Sequence, residues 1–315
     1  MNPSPSRRFA TRAASSLLAV LFALSALVIS PRPLTAAESL SVTALHPIIG
    51  DLARQVGGDR VAVHDLLPLG GDPHSFTPAA TDLIKLSKAD LVLASGKKLE
   101  VYLDKVRTST KAEIIEVGRR IPSITVNAKD PLFLCCPAHA HGSLDPHWWH
   151  NPRNMERAAR IVQDAFTKAD PGGAAVYRER AKAYGKRMQT LDKWVKKQVS
   201  AIPRRERKLV TAHLAFGYFA KEYGFQCVGL QGLTRVQEPS VRDLAATVDV
   251  VRKERLQVAF PERLANPKLL ESLARETGLR LGRPLIADNM STSVHDYESM
   301  IRANVSSIVD AFKQK

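Results

Sequence analysis

From Ala174 to Ser200 the chain runs about 27 residues without proline and with a single glycine, Gly185. Such a stretch predicts one long helix, about 40 Å end to end at about 1.5 Å per residue. Asp170-Pro171-Gly172-Gly173 before it and Pro203 after it are helix breakers. On the amino-terminal side, short strands are expected at Ser41 to Ala44, Val61 to Leu67, Leu91 to Ala94 and Glu113 to Val117. Helices are expected between them at His46 to Val56, Thr81 to Lys88 and Leu99 to Arg107. A loop-rich stretch from Pro122 to Asn154 and a helix from Met155 to Ala169 follow. Beyond the long helix the alternation restarts. Strands are expected at Lys208 to Thr211, Cys227 to Leu230, Val258 to Phe260 and Pro284 to Ala287. Their helices are Leu214 to Tyr223, Pro239 to Glu254, Pro267 to Thr277 and Asp296 to Phe312. Alternating strands and helices argue for parallel sheets covered by helices. The expected fold is α/β, with two lobes, each a mostly parallel sheet flanked by helices, joined by one long helix. The expected divisions are a leader at 1–37, an amino-terminal lobe at 38–173, the linking helix at 174–201 and a carboxy-terminal lobe at 202–315.

The leader carries the marks of export. Arg7, Arg8 and Arg12 precede an apolar run from Leu17 to Ile29, and Leu34-Thr35-Ala36-Ala37 offers small residues for cleavage. This is the pattern of a secretory signal peptide, and the 13-residue apolar run is too short for a comfortable membrane span. No cysteine stands near the cleavage point, so no lipid anchor is expected, and the periplasm is the expected destination. Removing a leader with four arginines and no acid takes the formal charge from +15 to +11. The excess is spread over helical segments such as Lys182 to Lys197, without interleaved aromatics. That reads as solvated helix faces and argues against nucleic acid as a partner. A monomer is expected.

Asp-Pro-His occurs twice, at Asp72-Pro73-His74 and Asp145-Pro146-His147. Proline fixes its own φ and keeps the preceding residue out of a helix. Each triplet therefore presents an imidazole from a stiff loop, with a carboxylate two residues away. Ligands of open α/β sheets gather outside the carboxyl ends of the strands. His74 follows the strand ending near Leu67, His213 follows Leu209-Val210-Thr211, and Asp288 follows Leu285-Ile286-Ala287. With His147 these residues form a candidate metal set in the interlobe cleft. The plainer alternatives are two proline turns, a helix-start histidine and an N-capping aspartate. Glu262, after the strand Val258-Ala259-Phe260, is a candidate hydrogen-bonding neighbour of the site. His150 is a candidate outer partner or a packing residue beside Trp148 and Trp149. His46, His64 and His295 carry no spacing signal and default to structural roles. His139 and His141, with Cys135-Cys136, could form an accessory metal-capturing loop. The alternative there is an exposed loop with a disulfide. The pairing among Cys135, Cys136 and Cys227 is left open.

Three imidazoles and one carboxylate suit Zn²⁺, admit Mn²⁺ and disfavour Ca²⁺ and Mg²⁺. Four protein ligands leave no position for a catalytic water, which favours capture over hydrolysis.

At these residues the chain resembles the periplasmic receptors of zinc and manganese ABC importers. The resemblance covers nearly the whole mature chain. It runs through Asp72-Pro73-His74-Ser75-Phe76-Thr77-Pro78, Leu86-Ser87-Lys88-Ala89-Asp90-Leu91-Val92 and Gly96-Lys97-Lys98-Leu99-Glu100. It continues through Asp145-Pro146-His147-Trp148-Trp149-His150-Asn151-Pro152, Thr211-Ala212-His213-Leu214-Ala215-Phe216-Gly217-Tyr218-Phe219 and Met300-Ile301-Arg302-Ala303-Asn304-Val305. It implies two lobes joined by a rigid helix, a metal between them with little hinge closure, and delivery to a membrane permease and its ATPase. The implied ligands are His74, His147, His213 and Asp288. The family's manganese members tend to carry Glu at the third position, so His213 points toward zinc. His150 and Asn151 depart from the family's Leu and Asp. The long acidic, histidine-rich loop common in zinc receptors is reduced here to His139 and His141.

The expected function is that of an exported, high-affinity zinc receptor delivering Zn²⁺ to an ABC importer, and not an enzyme. A manganese or mixed-metal receptor is the alternative within that class. An exported zinc hydrolase, with Glu262 as general base, is the alternative from another.

Overall fold

The computed structural model describes residues 39–127, 129–135, 142–236 and 238–314. The expected leader, Cys136, His139 and His141 lie outside the described residues. The first sheet holds β1 (Leu40–Ala44), β2 (Val61–Asp65), β3 (Leu91–Ala94) and β4 (Glu113–Glu116), in the order β2-β1-β3-β4. Its crossovers include α1 (Pro47–Gly57), α2 (Ala80–Leu86) and α3 (Leu103–Ser109). The second sheet has the order β5-β7-β6-β8-β9. It is built from β5 (Phe133–Cys135), β6 (Lys208–His213), β7 (Gln226–Gln231), β8 (Val258–Phe260) and β9 (Arg280–Leu281). All of these ladders are parallel.

Between the lobes run α4 (Pro152–Ala169) and the long helix α5 (Ala174–Val199), 26 residues or about 39 Å. Asn151 caps α4 by accepting from the Arg153 amide, and Pro152 opens its first turn. Asp170 ends α4 and holds its carboxylate against Arg60 at 2.9 and 3.0 Å. In α5 the buried residues Tyr177, Ala181, Tyr184, Met188, Leu191, Val195 and Val199 fall three or four apart, one stripe facing the core. The same helix packs on α1 in the first lobe and on α9 (Tyr297–Lys313) in the second. Arg187 of α5 reaches both, donating to Gln55 and to Glu298. One hydrophobic core, running through Ile49, Trp148, Trp149, Phe216 and Ile308, serves both lobes. No helix among the described residues is long and apolar enough to cross a membrane.

The strands differ from the sequence reading in two places. Phe133–Cys135, in the segment expected to be loop within the first lobe, is an edge strand of the second sheet, with Phe133 opposite Cys227. A three-residue strand is too short to show alternation. Pro284 to Ala287 is not a ladder strand. The strand there is β9, and Leu285 makes one isolated bridge to Glu262. Pro284 lacks an amide hydrogen. The side chain of Asn304 in α9 takes the place of a neighbouring strand at Ile286, accepting from its amide and donating to its carbonyl, both at 2.8 Å. Asp288 follows two residues later, so α9 sets where that carboxylate stands.

The remaining helices of the second lobe are α6 (Gly217–Tyr223), α7 (Val241–Lys253) and α8 (Lys268–Thr277). The segment Gly96-Lys97-Lys98 turns with φ of 80°, 56° and 65°, which delays α3 to Leu103. Buried Glu100 accepts from the Ser95 and Gly96 amides and closes that turn.

Candidate metal centre

His74, His147, His213 and Asp288 converge, all buried, and their ligand atoms lie within 4.8 Å of one another. The Nε2 atoms of His74 and His213 each stand 3.3 Å from that of His147. Asp288 Oδ1 lies 3.4, 3.2 and 3.3 Å from the Nε2 atoms of His74, His147 and His213. Five of the six donor pairs are therefore 3.2 to 3.4 Å apart. A tetrahedron whose centre lies about 2.0 Å from each corner has edges of roughly 3.3 Å, the scale of zinc coordination by nitrogen and oxygen.

The lobes divide this set. His74 sits on the loop after β2, His147 on the loop before α4, His213 at the end of β6, and Asp288 beyond β9. The two Asp-Pro-His triplets share an Asx-type turn: Asp72 Oδ1 accepts from the His74 amide at 3.0 Å, and Asp145 Oδ1 from the His147 amide at 2.9 Å. They then diverge. Asp145 Oδ1 also holds His147 Nδ1 at 2.8 Å, which fixes the tautomer and turns the Nε2 lone pair inward. Asp72 instead accepts from the Ser75 hydroxyl and pairs with Arg235. His74 Nδ1 has no hydrogen-bond partner among the described residues.

Glu262 does for His213 what Asp145 does for His147, accepting from its amide at 3.0 Å and from its Nδ1 at 2.6 Å. Burial alone would lower the His213 imidazole, but Glu262 and Asp288 outweigh it and push it up to about 10. His147 is likewise raised by Asp145 and Asp288 against its burial. His74 is lowered, chiefly by burial. Burial opposes ionisation of Asp288, yet the His213 and His74 imidazoles hold it well below the usual carboxylate range.

An outer layer fixes the backbone of Asp288. His150 Nε2 donates to the Ala287 carbonyl at 2.8 Å, Trp149 Nε1 to the same oxygen at 3.1 Å, and His46 Nε2 to the Asp288 carbonyl at 2.5 Å. Burial drives His46 down to about 4 and His150 down to about 3, so both are neutral donors near pH 7. His150, one of the candidate outer partners, therefore touches the backbone next to Asp288. His46, read as merely structural, is part of the same brace. No spacing could have found it, since its partner lies 242 residues away. Arg235 was not singled out by the sequence either. Its guanidinium Nη1 lies 2.5 Å from Asp288 Oδ2 and 3.4 Å from Glu262 Oε2, and its Nη2 lies 3.1 Å from Asp72 Oδ1. The only signal available was its place just beyond the carboxyl end of β7. His64 and His295 stand outside the convergent group. Cys227 is a buried free thiol whose ionisation burial opposes.

Gly217, at the start of α6, passes tightly beside the second triplet. A Cβ there would stand 2.4 Å from Asp145 Oδ2. Gly217→Ala is expected to push Asp145 off His147 and weaken metal binding by about 10- to 100-fold, the usual cost of losing such a support. Isothermal titration against the parent protein checks this, and an unchanged affinity would show that Asp145 is dispensable.

Comparison with known proteins finds metal-binding relatives. Residues 42–311 match the family model described as zinc-uptake complex component A, periplasmic. The manganese-binding lipoprotein MntA of Bacillus subtilis is 34% identical over 307 residues, covering 95% of this chain and 98% of that protein. The iron-binding protein YfeA of Yersinia pestis is 30% identical over 285 residues, covering 90% and 89%. Among solved structures, the periplasmic zinc-binding protein TroA of Treponema pallidum superposes with a TM-score of 0.78 at 27% identity, covering 87% of this chain and 99% of that one. Two parallel-sheet lobes, a helix spanning both and a buried cluster between them accompany a match over nearly all of the described chain; the protein belongs to the zinc-uptake component A family of metal ABC-transporter substrate-binding proteins.

Proposed function

We propose that this protein is an exported receptor that captures Zn²⁺ with His74, His147, His213 and Asp288 and passes it to the permease and ATPase of an ABC importer. The observation that carries the reading is the set of five donor-to-donor distances of 3.2 to 3.4 Å among three imidazole nitrogens and one carboxylate oxygen. That donor set and spacing suit four-coordinate zinc. The leader at 1–37 fits export to a periplasm, where the family's name also places it.

Capture is favoured over catalysis on two grounds. Four protein donors fill a zinc coordination sphere and leave no position for a reactive water. Glu262, the candidate general base, has both oxygens engaged by His213. The second reading is a manganese or mixed-metal receptor, favoured by the manganese-binding and iron-binding names of relatives at 34% and 30% identity. Native mass spectrometry of protein purified without added metal, followed by zinc–manganese competition, separates the two. One zinc per chain, not displaced by excess manganese, is the expected result. Manganese as the retained ion would overturn the zinc assignment.

A further inference from the structure

Arg235 places a guanidinium against the carboxylate of the donor cluster. It lies between β7 and α7 with its side chain 8% exposed, so three carboxylates rather than water surround the guanidinium. One of them, Asp72, comes from the first lobe; Glu262 and Asp288 come from the second. The contact with Asp288 divides that carboxylate in two. Oδ1 faces the three imidazoles at 3.2 to 3.4 Å, and Oδ2 faces Arg235 Nη1 at 2.5 Å.

We propose that Arg235 is a specificity-determining residue: by holding Oδ2 of Asp288 it leaves one carboxylate oxygen for the cargo, and so disfavours metals that need more than four ligands, Mn²⁺ among them. This rests on the reading of the four donors as the metal site. Two-oxygen ligation by Asp288 would require Oδ2 to leave a buried ion pair, and removing one partner of such a pair is costly. Zinc is satisfied by four donors and does not incur that cost. Manganese prefers an oxygen-rich octahedral shell and does. Water is the other source of extra ligands. Arg235 lines a cavity of about 190 Å³ with Asp72, Ala212, Gln231 and Glu238, and it also contacts Asp288. Shortening or neutralising it opens a route for water toward the donors. His213 then sets the kind of donor at the site, and Arg235 sets their number.

The test compares the parent protein with Arg235→Met, which keeps length without charge, and with Asp72→Asn. The latter keeps Oδ1, which serves both the His74 amide and the guanidinium, and removes only the negative charge that anchors Arg235 from the first lobe. Zinc and manganese affinities are measured by competition, and coordination is read from the visible spectrum of the Co²⁺-loaded proteins. In the parent, intense tetrahedral Co²⁺ bands are expected. In Arg235→Met the zinc-to-manganese affinity ratio is expected to fall at least tenfold and the Co²⁺ bands to weaken toward a higher-coordinate spectrum. Asp72→Asn should move both in the same direction by a few-fold. An unchanged ratio and spectrum in Arg235→Met overturns the proposal, as does a six-coordinate Co²⁺ spectrum in the parent. If Arg235→Met fails to fold by circular dichroism, Asp72→Asn decides, and parent-like values there overturn it. A parent protein that binds none of these metals would instead sink the receptor reading itself, before Arg235 is tested.

Discussion

His213→Ala is expected to weaken zinc binding by roughly a hundredfold or more. Structural zinc sites with four ligands bind with about 10–16 kcal/mol, or about 3 kcal/mol for each ligand, and a tenfold change in affinity corresponds to about 1.4 kcal/mol. The loss at His213 should lie at or above this average. Removing the imidazole leaves Glu262 and Asp288 buried beside Arg235, with the partner that joined them gone. His74→Ala and His147→Ala should follow the same pattern. Glu262→Gln keeps the shape of the support but lowers the basicity it lends to His213, and a smaller loss of about 10- to 100-fold is expected. Calorimetric titration of the four variants checks the order. Parent-like zinc binding by any of the three alanine variants would remove that histidine from the ligand set. A larger loss for Glu262→Gln than for His213→Ala would mean that Glu262 is itself a ligand.

These residues advertise themselves very differently along the chain. His74 and His147 stand in repeated Asp-Pro-His triplets, and His213 and Asp288 follow apolar runs that read as strands. Such signals are local, a few residues wide, and the convergence of the four was legible from them. Their supports were less so. Glu262 was readable as a strand-end neighbour, but its double hold on His213 joins positions 49 apart. Arg235 is one of many basic residues in the chain, and it acquires meaning only when 72, 262 and 288 surround it. His46 is in the same position, since an imidazole reaching a backbone carbonyl across the lobes leaves no pattern.

The fold shows the same division. The long helix was visible because a helix interior excludes proline over its whole length, and it runs from Ala174 to Val199 within one residue of the expected span. β5 was not, because three residues carry no period and its partner β7 lies beyond the long helix. The segment around Leu285 read as a strand because its composition is that of one. Asn304 changes the outcome by supplying, from a helix, the hydrogen bonds a neighbouring strand would have made. Long-range polar contacts of this kind set the position of Asp288, and residue order along the chain does not encode them in any short window.

Removing the metal should lower the melting temperature by roughly 10 °C at neutral pH, and the gap between metal-free and zinc-loaded protein should widen as pH rises. A ligand present at a thousand times its dissociation constant stabilises the folded state by about 4.1 kcal/mol. For a chain of this size each kcal/mol shifts the midpoint by about 2–4 °C. The pH dependence follows from His213. In the metal-free protein its imidazole is pushed up to about 10, above its ordinary value of 6.5, by Glu262 and Asp288 acting against burial. A raised folded value means that the proton stabilises the metal-free fold fully below pH 6.5, and that this contribution is lost as pH climbs through 10. Zinc, in contrast, needs the neutral imidazole and must expel that proton, so its affinity rises over the same interval. The metal-free form therefore weakens over this interval, while the loaded form, whose His213 is neutral like that of the unfolded chain, holds steady, and the gap widens. Scanning calorimetry with and without a chelator from pH 6.5 to 9.5 measures the gap. Titrations in buffers of different ionisation enthalpy should count about one proton released per zinc at pH 8. A gap that narrows with rising pH, or zinc binding without proton release, would show that His213 is already neutral in the metal-free protein and that Glu262 does not hold it charged.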